Sequence, residues 1–192
     1  MFIDYLTVMM VAVVMGAVFT AVYGYAHLDR ASPDERRPWA FAFWTAGLLL
    51  ALPGLHVTLT WPLPGAYNIL MGEPALFFGV VLLLTGFAIW HGLDLTPLTW
   101  TALFGGFALL ALSVAILQHG LSRAPLMWAL GYGALGLAAV LTPLAYRSPG
   151  WRLPVVVLLL VGAAVFALGG YGAYIDHTAK DAFGKWVPWP LR

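Results

Sequence analysis

The chain has 192 residues, of which 62% are hydrophobic and only 9% charged, with a mean hydropathy of +0.89, against roughly 25% charged in soluble domains. A net charge of +1 offers no basic surface to nucleic acid, so that class is set aside. The absence of cysteine excludes disulfides, thiolate metal sites and thiol catalysis, so any metal would need His, Asp or Glu.

A hydrocarbon core about 30 Å thick needs about 20 mostly apolar helical residues, because unpaired backbone amides cost several kcal/mol each in lipid. Six segments meet that requirement: 4–27, 38–61, 68–92, 98–120, 125–146 and 151–177. They predict an all-α integral membrane protein, a bundle of about six transmembrane helices with short loops, forming one domain over 1–192. Residues 178–192 are expected to be an interfacial tail, its Trp186 and Trp189 suited to the headgroup layer. The period-two alternation of lipid-facing strands is missing, which argues against a β-barrel.

The first segment carries Asp4 instead of a basic n-region and is too long for a signal peptide, so it reads as a retained helix. Its Ala12, Gly16, Thr20 and Gly24 recur every four residues, a face on which another backbone can approach closely. Asp34, Glu35, Arg36 and Arg37 then read as a solvated loop. The second segment contains Pro53-Gly54, an expected kink, shortly before His56. In the third, Gly72, Gly79 and Gly86 stand at heptad spacing. Glu73 and His91, about five helical turns apart, share a second stripe with Phe77, Val80, Leu84 and Phe87. The fourth has the pairs Ala102 with Gly106 and Ala111 with Ala115. All of these stripes are expected to face the bundle interior.

Orientation follows from the short loops. Arg30, Arg36, Arg37, Arg147 and Arg152 fall on one face, whereas Arg123 and the tail residues Lys180, Lys185 and Arg192 fall on the other. The first face is expected to be cytoplasmic, with both termini outside the cell (plasma) membrane.

The same threading sorts the ionisable residues by depth, where charges are costly and tend to be functional. Asp4, His56, Glu73, His119, Asp176 and His177 collect on the outer side; His27, Asp29, His91 and Asp94 collect on the inner side. Imidazole and carboxylate together are the usual ligands of zinc, copper, iron or manganese in a cysteine-free site. His56, Glu73, His119 and His177 are therefore the candidate ligands of a metal ion or haem. Asp176 is expected to orient an imidazole through a hydrogen bond, with Asp4, Tyr67 and Asn68 beside it. A haem reading pairs His56 with His119 near the outer face and His27 with His91 near the inner one, as two b-type haems stacked across the membrane. In helix spacing and face this resembles cytochrome b561-like proteins.

Simpler explanations compete. His27, His91, His119 and His177 sit at helix C-terminal ends, where exposed carbonyls favour such a side chain, and the glycines after His91 and His119 fit helix stops. Glu73 precedes Pro74 and Asp4 begins the first helix, so either carboxylate can simply complement a positive helix end.

The stretch Trp61-Pro62-Leu63-Pro64-Gly65-Ala66-Tyr67-Asn68-Ile69-Leu70-Met71-Gly72-Glu73-Pro74, followed by Phe77, Phe78 and Gly79, resembles the most distinctive segment of a prokaryotic membrane family termed domain of unknown function 981. The resemblance implies a polytopic architecture over most of the chain and singles out Tyr67, Asn68 and Glu73 without giving them roles.

The function expected from the residues is a metal or haem site near the outer face, in or beside respiratory electron transfer. One alternative is a non-catalytic accessory subunit that packs against a larger membrane complex, or against its own copy, through the small-residue stripe of the first helix. Another is a carrier of a small solute or protons built on Glu73 and the broken segment 62–74. Enzymatic activity would require an open metal position. No phosphate-cradling glycine loop, nucleophile elbow or zinc-protease pair is present.

Overall fold

The computed structural model describes residues 4–179, so nearly all of the expected interfacial tail lies outside the described residues. The helices are α1 (Tyr5–Val22), α2 (Pro33–Arg36), α3 (Trp39–Thr60), α4 (Tyr67–His91), α5 (Thr96–His119), α6 (Pro125–Arg147) and α7 (Arg152–His177). A π-helical turn, Tyr23–His27, extends α1, and a 3-10 turn, Pro149–Trp151, leads into α7; no strand occurs among the described residues. Six of these rods are long and apolar enough to cross a membrane. The chain is a multi-pass membrane protein, as its composition demands.

Local chemistry sets the helix ends. The charged stretch expected to be a loop contains the short α2, since Ser32 accepts from the Glu35 amide while the Glu35 carboxylate accepts from the Ser32 amide. Pro33 at the first helical position completes this capping box, a signal legible in Ser-Pro-Asp-Glu. Gly92 and Gly120 stop α4 and α5 with φ of 67° and 61°, the left-handed conformation that glycine adopts without strain. α3 runs on through Pro53, and α4 begins early enough that Pro74 lies inside it rather than in its first turn. The broken segment expected at 62–74 therefore ends at residue 66.

Each spanning helix packs against its neighbours in chain order, and α7 returns to α1, so the six close into a ring. The tightest seams join α3 to α4 and α5 to α6, and glycine makes them possible. A Cβ on Gly47 would lie 2.8 Å from the Gly79 carbonyl oxygen, and one on Gly79 would strike the Ala51 backbone. Gly106 and Gly136 meet the same way, a Cβ on the first coming within 2.7 Å of the second's carbonyl. Lipid gives no hydrophobic reward for gathering large side chains, so close backbone approach is what holds such seams.

That rule also corrects two expectations. The stripe Glu73, Phe77, Val80, Leu84, Phe87 and His91 is exposed along its whole length. α4 must turn its glycines to α3, and Met71, Ala75, Phe78 and Leu82 to the bundle axis, which leaves this stripe for lipid. Ala111 likewise faces outward, whereas Ala102 and Gly106 are buried. The α1 stripe is divided: Gly16 faces Leu82 of α4, while nothing lies within 4 Å of a Cβ on Gly24.

Candidate functional site

At the end of the bundle where α1 starts and α7 finishes, the ionisable residues are only partly gathered. Asp4 caps α1 by accepting from the Thr7 amide and hydroxyl, and its second oxygen meets His177 Nδ1 at 2.7 Å. Burial pushes the Asp4 carboxyl up, but bonds from Thr7 and His177 outweigh it and hold it below the ordinary value. The carboxylate on His177 is thus that of Asp4; Asp176 is exposed. His56 is exposed, with its ring edge-on to Tyr5 at 5.7 Å. Glu73, on the outward stripe of α4, and His119, at the end of α5, are exposed too, as is Tyr67. Among the described residues no group of three or more His, Asp or Glu is placed to hold a metal ion.

The opposite, arginine-rich end separates its two histidines. His91 lies exposed against Phe87, ring centroids 4.4 Å apart. His27, in the π-helical turn, packs on Tyr23 and Trp39 at 6.3 and 4.7 Å. Its Nδ1 is buried with no hydrogen-bond partner among the described residues.

A cavity of about 240 Å³, partly open to its surroundings, runs along the axis of the ring, with walls from all six spanning helices. On α1 alone the lining runs from Leu6 to Leu28, and its α-helical part up to Tyr23 spans about 25 Å at 1.5 Å per residue. The cavity is therefore long and narrow. Toward the ends of α1 and α7 named first, the walls are apolar: Leu6, Met9, Met10, Phe78 and Phe166. Toward the arginine-rich end they also include Tyr23, Thr99, Thr142, Tyr146 and Arg152, among leucines and valines.

Arg152 is only 7% exposed. Its Nε–H donates to the Ala145 carbonyl at 3.2 Å, and an Nη2–H donates to Asp29. The pair is lopsided, since the Asp29 side chain is 57% exposed. Beside it the Tyr146 hydroxyl donates to Asp94 at 2.8 Å and accepts from the Leu95 amide at 3.3 Å. Hydrogen bonds from the Thr96 amide, Tyr146 and the Thr96 hydroxyl hold the Asp94 carboxyl below its ordinary value.

Near the starts of α4 and α6, Tyr132 of α6 is buried and donates to the Leu70 carbonyl of α4 at 2.7 Å. That carbonyl would ordinarily accept from residue 74, but Pro74 has no N–H. The tyrosine from a neighbouring helix supplies the missing donor, the kind of repair that admits proline to a membrane helix.

The protein family described as "Protein of unknown function (DUF981)" matches residues 1–180. The chain belongs to this family. No curated protein and no solved structure matches it. Within the stretch Trp61 to Pro74 that carries the resemblance noted above, Asn68 has a structural task. It is fully buried, accepts from the Leu63 amide at 2.8 Å, and donates to the Leu63 and Gly65 carbonyls, the latter at 2.9 Å. It thereby fastens the proline-rich turn to the start of α4.

Sequence reasoning missed Arg152, Tyr146, Tyr23 and Tyr132. Arg152 was legible only as one more loop arginine. Its partner Asp29 falls on the same membrane face, but nothing in the spacing says that the guanidinium turns into the bundle.

Proposed function

We propose that the chain is a membrane carrier or receptor for a small, largely apolar solute, with the axial cavity as its site. The observation that carries this reading is a closed ring of six helices around unfilled space, where protein interiors are ordinarily close-packed. The size is selective. A cavity of about 150 Å³ admits benzene, whereas drug-sized ligands use about 300 Å³ or more, so 240 Å³ suits one short chain or small ring. This moves the carrier site from Glu73, which faces outward, to the axis.

Binding of radiolabelled octanol to the chain in lipid nanodiscs, with empty nanodiscs subtracted, tests it. Ala102→Phe and Ala139→Phe place rings in the cavity and should weaken binding at least about tenfold, the loss of roughly two buried methylenes of contact. Octanol that fails to bind, or binds both folded variants unchanged, refutes the reading.

We also propose that the protein lies in the cell membrane with its arginine-rich end cytoplasmic, supported by the loop arginines. Because the chain lacks cysteine, single substitutions Ser148→Cys and Thr60→Cys report sidedness directly; an impermeant maleimide should label only the second in intact cells. The electron-transfer reading would need His56, Glu73, His119 and His177 to converge on a metal or b-type haem, for which the described geometry offers no support. Its test is a visible spectrum and metal analysis of the purified chain, where a Soret band or stoichiometric iron would favour it over the carrier.

A further inference from the structure

The cavity has one chemically distinct end. Arg152 is more than nine-tenths buried yet lines the open space, and the cost of keeping a cation there is only partly met. A guanidinium has five N–H donors; here one goes to the Ala145 carbonyl and one to Asp29. Asp29 is largely in water, so it can leave Arg152 without burying a charge of its own. An ion pair built this way contributes little to stability, because desolvation of the arginine offsets the Coulomb attraction. It is better suited to exchange. Among the described residues no acidic side chain lines the cavity, and Asp94 is turned onto Tyr146 and Thr96. The hydroxyls of Thr99, Thr142 and Tyr146, residues that also line this end, donate to the Thr96 and Ala138 carbonyls and to Asp94.

Resting on the proposed carrier reading and naming its substrate class, we propose that the cavity takes a single-chain amphiphile with an anionic oxygen head. The head binds Arg152 in place of Asp29, and the hydrocarbon chain extends along the axis toward Phe78, Phe166 and Met10. A guanidinium matches a carboxylate through two parallel N–H···O bonds, while a cationic head would be repelled by it. The volume suits one short chain, and toward the far end the Tyr132 hydroxyl is already committed to the Leu70 carbonyl. Asp29 acts as an internal competitor that occupies the arginine when the cavity is empty.

The test compares octanoate, octanol and octyltrimethylammonium on the full chain in neutral-lipid nanodiscs at about pH 8, where the carboxylate is ionised. Octanoate should bind about tenfold tighter than octanol, the worth of a charge-assisted hydrogen bond, and the cation weakest. Asp29→Asn should tighten octanoate severalfold and leave octanol unchanged. Arg152→Gln should bring octanoate down to octanol; should that variant not fold, Asp29→Asn and the order of the three ligands still decide. If octanol binds and octanoate shows no preference, or Asp29→Asn leaves octanoate unchanged, the anionic-head inference fails while the carrier reading stands. If none of the three binds, both fail.

Discussion

Replacing Tyr132 by Phe removes one oxygen and leaves the ring in place, so its effect isolates the hydrogen bond to Leu70. That bond is short, 2.7 Å, and buried, and the carbonyl it serves has lost its helical donor to Pro74. Orphaning a buried carbonyl costs about 1–3 kcal/mol in proteins generally, but interhelical hydrogen bonds in a membrane protein average about 0.6 and reach about 1.7 kcal/mol. Full burial and the loss of the i+4 amide donor place Tyr132→Phe toward the upper end, about 1–1.5 kcal/mol. The decisive measurement is a double-mutant cycle with Pro74→Ala, which restores an amide at position 74 able to donate to Leu70. In the Pro74→Ala background Tyr132→Phe should cost less than about 0.5 kcal/mol, a coupling of about 1 kcal/mol between residues on different helices. Unfolding by sodium dodecyl sulfate from mixed micelles, followed by tryptophan fluorescence, reads all four proteins. Equal cost in both backgrounds would falsify the repair of the proline gap by the tyrosine.

Asn68→Asp keeps the acceptor for the Leu63 amide but turns an oxygen toward the Leu63 and Gly65 carbonyls; it should lower stability by about 1–3 kcal/mol, and an unchanged thermal midpoint would show the turn holds without it. Gly79→Ala should wedge α4 from α3 and cost about 1–3 kcal/mol, whereas Gly172→Ala, with nothing among the described residues within 4 Å of the added carbon, should be neutral or slightly stabilising in the same assay. The Asp4 carboxyl lies below its ordinary 3.8 in the folded chain. Its contribution is therefore complete above about pH 4 and fades as pH falls through the lower folded value. Unfolding midpoints measured from pH 6 to pH 3 should fall more steeply for the parent than for Asp4→Asn, and parallel curves would remove Asp4 from the linkage between α1 and α7.

Hydropathy and length alone determined that six rods cross a membrane, because lipid admits only segments whose backbone bonds close internally. The stops at Gly92 and Gly120 and the close-packing glycines of α4 were legible for the same local reasons: a left-handed residue and a missing Cβ act wherever the chain goes. Facing was different. Glu73 and His91 do share a stripe, as their spacing requires, yet which way that stripe points depends on the neighbour that claims the glycines beside it, and α3 claimed them. His56, Glu73 and His119 were matched in depth by threading order, but depth says nothing of rotation about each helix axis, and each is exposed. Arg152 shows the converse. In the sequence it is a loop charge; only the closing of α7 onto α1 and α6 sends it inward to Asp29 and the cavity, because the guanidinium's position depends on a carboxylate more than a hundred residues away.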